Sequence, residues 1–72
     1  MEKEDVWMKN LKRKFKKGKL IKYNFLYSNE EEKIGVVYDI KKDNNFGAMI
    51  TLMTDNKFEF VPYSILEYTI ID

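Results

Sequence analysis

A chain of 72 residues has room for one domain, and a domain of this size buries only about 60% of its unfolded surface, so its stability is limited to about 4–11 kcal/mol. Cysteine and histidine are both absent, which excludes disulfides and thiolate zinc sites and removes the commonest metal ligand and general base. The net charge of +1 gives no overall electrostatic bias toward a polyanion.

The first seventeen residues have helical spacing. Trp7, Leu11 and Phe15 recur every fourth residue with Met8 beside them, which makes one apolar stripe. Glu2, Glu4 and Asp5 stand at the positive end of the helix dipole, Lys14, Lys16 and Lys17 at the negative end, and Gly18 is placed to stop it. The pattern predicts a helix from about Glu4 to Lys17. Its opposite face carries Lys9, Lys12, Arg13 and Lys16, all projecting to one side.

After Gly18 the period becomes two. Ile21, Tyr23, Phe25 and Tyr27 alternate with Lys22, Asn24 and Leu26, which predicts a strand over about 19–28, followed by a loop of Asn29 and three glutamates. Ile34, Val36, Tyr38 and Ile40 then define a strand over about 33–41 with the even positions inward. A polar loop, Lys42 to Asn45, leads to a strand over about 46–54, with Phe46, Ala48, Ile50 and Leu52 on the same parity. Asp55 and Asn56 tolerate the left-handed backbone of a two-residue hairpin turn. The next strand, about 57–62, places Phe58 and Phe60 inward and ends at Pro62. Tyr63, Ser64 and Ile65 suit a short helical turn, with Ser64 capping it, before a last strand over about 66–71. Gly35 and Gly47 read as points where strands bend.

The expected fold is therefore mainly β, an α+β arrangement in a single domain over residues 1–72, with an N-terminal amphipathic helix and five antiparallel strands. Apolar residues on the other parity, Leu26, Val37, Met49, Met53, Val61 and Ile71, would form a second apolar face. The helix stripe is the economical cover for it; otherwise Met49, Met53, Val61 and Ile71 offer a protein interface or a surface for self-association.

The near-zero total charge hides a division. Residues 1–22 hold nine Lys or Arg against three acids, a net of +6, and residues 23–72 hold four against nine, a net of −5. The bland reading is a solvated surface in which the acidic part attracts its own basic helix. The functional reading is phosphate contact by Lys9, Lys12, Arg13 and Lys16, giving weak, salt-dependent, sequence-tolerant nucleic-acid binding.

The run Ile34-Gly35-Val36-Val37-Tyr38-Asp39-Ile40, then Ala48 to Leu52, the turn at Asp55-Asn56, and Phe58-Glu59-Phe60-Val61-Pro62-Tyr63-Ser64-Ile65-Leu66-Glu67 together resemble a Tudor-like member of the SH3-like small β-barrels. The resemblance covers about forty residues and rests on strand spacing and the Val-Pro-Tyr-Ser-x-Leu-Glu ending. It implies a five-stranded SH3-like antiparallel barrel and a non-catalytic binding module. It also implies an aromatic cage for methylated lysine or arginine, the matching positions being Tyr38, Phe46 and Tyr63. Tyr38 and Phe46 fall on the inward parity, which favours core packing over a cage, since a cage needs ring faces open to water.

Enzyme chemistry finds little support. Ser28 and Ser64 are the only serines, with no histidine or cysteine to activate them. Glu30, Glu31 and Glu32 are consecutive and do not converge on one cation without other ligands. The three glycines form no phosphate-cradling motif. No cofactor is expected. No apolar run approaches the roughly 18 residues of a membrane span, and the start lacks the apolar core of a signal peptide. The expectation is a soluble, cytoplasmic protein that acts on a protein partner as an adaptor or inhibitor, of the kind a mobile element encodes. Nucleic acid is the alternative partner, and a membrane is not expected.

Overall fold

The computed structural model describes residues 6–71. In chain order it contains helix α1 (Val6–Lys14), strands β1 (Leu20–Phe25), β2 (Lys33–Asp43), β3 (Gly47–Thr54) and β4 (Lys57–Pro62), a 3-10 turn (Tyr63–Ile65), and β5 (Leu66–Ile70). The strands form one antiparallel sheet in the order β4-β3-β2-β1-β5. The expected closure into a barrel is not seen, because β4 and β5 remain the two edges of the sheet.

The helix packs on one face of that sheet through Met8, Leu11 and Phe15, which join Ile21, Tyr23, Val37, Ile40, Ala48, Ile50, Leu52, Val61 and Leu66 in the core. Phe15 meets the rings of Tyr63 and Tyr68 at centroid distances of 5.9 and 4.8 Å, and Lys14 Nζ lies 5.1 Å over the Tyr68 ring. The hydrogen bond to the Tyr68 side chain, and then that ring's charge, raise the Lys14 ammonium above its ordinary range. The helix is shorter than the pattern predicts at its C-terminal end, stopping at Lys14 with one more i→i−4 bond from Phe15 N–H to Leu11 O at 2.8 Å. Its expected start at Glu4, and the Glu2, Glu4 and Asp5 complement to the dipole, lie outside the described residues. Gly18 takes φ +95°, as a chain leaving a helix toward a strand requires.

Two predicted parities are corrected. In β2 the register slips between Val37, opposite Leu52, and Asp39, opposite Thr51, so Tyr38 is the extra residue of a β-bulge. Before the bulge the odd residues Gly35 and Val37 point inward; after it Ile40 does. Ile34, Val36 and Tyr38, expected inward, are therefore exposed. In β4, Met53 opposes Phe58 and Leu52 opposes Glu59. Glu59 and Val61 consequently face the core side, while Phe58 and Phe60 face out.

The remaining differences are local. Phe46, also expected inward, sits exposed in the β2–β3 turn, where Asp43 Oδ2 accepts from the N–H groups of Asn45 and Phe46. Ser64 does not cap the 3-10 turn, whose N-cap position is Pro62 and carries no side-chain cap. Gly35 serves close packing: a Cβ there would lie 3.0 Å from Tyr23 Cε1.

Candidate functional site

The helix covers the core side, so the other face of the sheet is left open, and its side chains are apolar in register. Leu20 opposes Val36, Val36 opposes Met53, and Met53 opposes Phe58. On the far side of β1, Ile71 N–H donates to Leu20 O at 2.9 Å, one residue past the Ile21–Ile70 pair, so alternation places Ile71 on the same face. All five are exposed. The result is one apolar side chain from each of β1 to β4 and one from the residue just after β5, in a row about 19 Å long at the usual interstrand spacing. Ile34 extends it on β2.

Beside the row lies a ring ledge. The bulge turns Tyr38 outward, its centroid 4.9 Å from that of Phe58 in an edge-on arrangement, and Lys17 Nζ stands 4.8 Å over the Tyr38 ring. Phe60, 65% exposed, follows Phe58 on the same face of β4 and opposes Thr51. Asp39 and Lys41 form an ion pair at 3.7 Å next to the ledge.

The residues singled out in the sequence divide. Met53 and Ile71 belong to the row; Met49, half-buried between Lys41 and Pro62, lies on the same face but off the row. Val61 is wholly buried opposite Ile50 and belongs to no surface. Contrary to the expectation from sequence, the helix does not cover this face, because its stripe is used on the core side. Lys9, Lys12 and Arg13 are exposed on α1, and Lys16 follows in the exposed segment after it. Trp7 is 43% exposed, so the docked stripe is Met8, Leu11 and Phe15.

The cage positions are not brought together. Among the described residues, Tyr38 has its ring contact with Phe58, and Tyr63 with Phe15 and Tyr68; Phe46 has no ring contact. Tyr38 and Phe46, expected in the core, are 45% and 55% exposed. Hydrogen bonding to Tyr68, and then burial, push the Tyr63 hydroxyl up from its ordinary value. The described residues contain no group of three acids placed to hold a metal ion.

At the open end of the core side, the Tyr23 hydroxyl donates to Glu59 Oε1 at 2.7 Å, and Lys33 Nζ lies 3.3 Å from Glu59 Oε2. Burial, followed by the Glu59 carboxylate, pushes the Tyr23 hydroxyl strongly upward. A phenol held in its neutral form beside a paired carboxylate stabilises the sheet edge and offers no activated nucleophile.

Leu20, Val36, Phe58 and Phe60 are the members of this face that the sequence reading missed. For Phe58 and Phe60 the signal was the two-residue turn itself. Pairing Thr54 with Lys57 makes even residues of β3 share a face with odd residues of β4. Comparison of the chain with protein-family models, with curated proteins and with solved structures finds no match.

Proposed function

We propose that this protein is a small non-enzymatic binding module, an adaptor or inhibitor, that takes a protein partner on its open sheet face. The row Ile71, Leu20, Val36, Met53 and Phe58 carries the reading. Single exposed apolar residues are ordinary on a protein surface, whereas a contiguous series running across a sheet marks an interaction site. Met53 and Phe58 at one end supply the adaptable and aromatic contacts that interface centres favour. Lys22, exposed on β1 opposite Ile34, borders the row with a cation. The partner that fits is an apolar ridge edged by carboxylates.

The strand order β4-β3-β2-β1-β5 with a 3-10 turn before the last strand supports the finer reading of the sheet as a Tudor-like, SH3-like small barrel. The binding-module role rests on the apolar row and not on that assignment.

The test is site-specific photocrosslinking in the host cell. A photoreactive residue at Val36 or Met53 is expected to capture a protein that the same probe at Glu67, exposed toward the end of β5 away from the row, does not. Val36→Glu or Met53→Glu in the probed chain should abolish capture while leaving the melting temperature within a few degrees. Identical capture from the row and from Glu67 would defeat the proposal.

A further inference from the structure

The ring ledge and the cations next to it form a second site with its own chemistry. Two open clefts meet at Tyr38 and Asp39. One, of about 470 Å³, lies between Lys12 of α1, Phe15 and Lys17 just after it, and Tyr38, Asp39 and Ile40 of β2. The other, of about 200 Å³, continues over Lys41, Thr51, Phe58 and Phe60. Together they make a track from the lysines after α1, where Lys16, Lys17 and Lys19 surround Gly18, to the exposed rings of β4.

We propose that this track binds single-stranded nucleic acid, with bases on Phe58 and Phe60 and phosphates at Lys16 and Lys17. Lys17 already stands over Tyr38, so it closes that ring and holds an ammonium at the end of the ledge, where a phosphate meets it. Phe58 and Phe60 are both about half exposed or more and provide the open ring faces. A pairing of backbone-tracking cations with stacking rings is what sequence-tolerant single-strand binders use. Asp39, the one acid among the described residues that line the track, is paired with Lys41.

A duplex does not fit, because its bases are already stacked and paired and cannot reach rings lying on a sheet face. Phe58 and Phe60 are two residues apart on a strand, about 6.6 Å. That is twice the roughly 3.4 Å spacing of a stacked strand, so the bound strand is drawn out or seats alternate bases. An acidic peptide would use the lysines but leave the rings without planar partners. The site shares only Phe58 with the protein-binding row and rests on observations independent of it.

The test uses fluorescence anisotropy with a labelled oligo-dT of about 12 nucleotides, at low and physiological salt, on the full chain. Binding is expected at low salt, weaker for the matching duplex. Phe60→Ala should weaken it about 5- to 150-fold, the range for loss of one stacked base. Lys17→Gln should lower the salt slope by about 0.7, the loss of one single-strand phosphate contact. Phe60 is solvent-facing, so its variant keeps the fold, which a thermal melt verifies. Absence of binding at low salt overturns the proposal. So does binding that ignores Phe60→Ala and disappears in Lys9→Gln, Arg13→Gln, which would place the contact on the helix face. Competition by polyglutamate as strong as by unlabelled oligo-dT would reassign the track to an acidic protein and overturn it equally.

Discussion

Gly35 lies against the ring of Tyr23: a Cβ on Gly35 would come to 3.0 Å from Tyr23 Cε1, and to 3.3 Å from the backbone oxygen of Met53. The ring has no freedom to retreat, because it is wholly buried and its hydroxyl is tied to Glu59 at 2.7 Å. Gly35→Ala is therefore expected to destabilise the protein by about 1–3 kcal/mol, the usual range for overpacking. Urea unfolding checks it, and an unchanged midpoint would show that the ring can move.

Tyr23→Phe removes the hydroxyl and leaves Glu59 with Lys33 as its partner among the described residues. A loss of about 1–2 kcal/mol is expected near neutral pH, below the upper range for a charged acceptor because Glu59 keeps access to water. The difference depends on pH in a defined direction. The folded-state value of Tyr23 lies above its ordinary 10.0, so its contribution is complete below about pH 10 and falls as pH rises beyond it, where the unfolded chain ionises first. Unfolding curves of the two proteins should converge above pH 10, and a constant gap would refute the assignment.

Phe15 anchors the helix from just beyond its last turn, buried against Tyr63 and Tyr68. Phe15→Ala should cost about 3–5 kcal/mol, a large part of the total for a domain of this size. Trp7→Ala should cost only about 1–1.5 kcal/mol, because roughly half of that ring is already in water. Circular dichroism melts rank the two, and equal losses would mean that the helix is held at its start as firmly as at its end.

Much of this architecture was legible. The helix, five strands, the Asp55–Asn56 turn and the turn after Pro62 all follow from periodicity and turn chemistry, and the element order agrees. The open face was not legible, for two physical reasons. A bulge carries no periodic signature, so the slip at Tyr38 left Ile34 and Val36 assigned by the parity that Ile40 obeys. In β4 the larger rings face water and Val61 faces the core, which inverts the usual guess from side-chain size. There the information was present: a two-residue turn between Thr54 and Lys57 is incompatible with even residues pointing inward on both strands.

That turn is also where the strand register can be tested. Asp55 and Asn56 have φ of 51° and 62°, the left-handed pair of a type I′ hairpin, in which glycine at the second position is strongly preferred. Asn56→Gly relieves the residual cost of a side chain in that region and should raise stability by about 0.5 kcal/mol, or about 2–4 °C in melting temperature for a domain of this length. Asn56→Val places a β-branched residue where it is least tolerated and should lower stability by more than about 1 kcal/mol. Because Thr54 and Lys57 remain paired in both variants, Phe58 and Phe60 should stay on the outer face, and oligonucleotide binding should follow the folded fraction without any further change. Coincident melts for all three proteins would mean that the hairpin does not hold its positive φ angles. A binding change at full folding would mean that the turn itself touches the ligand.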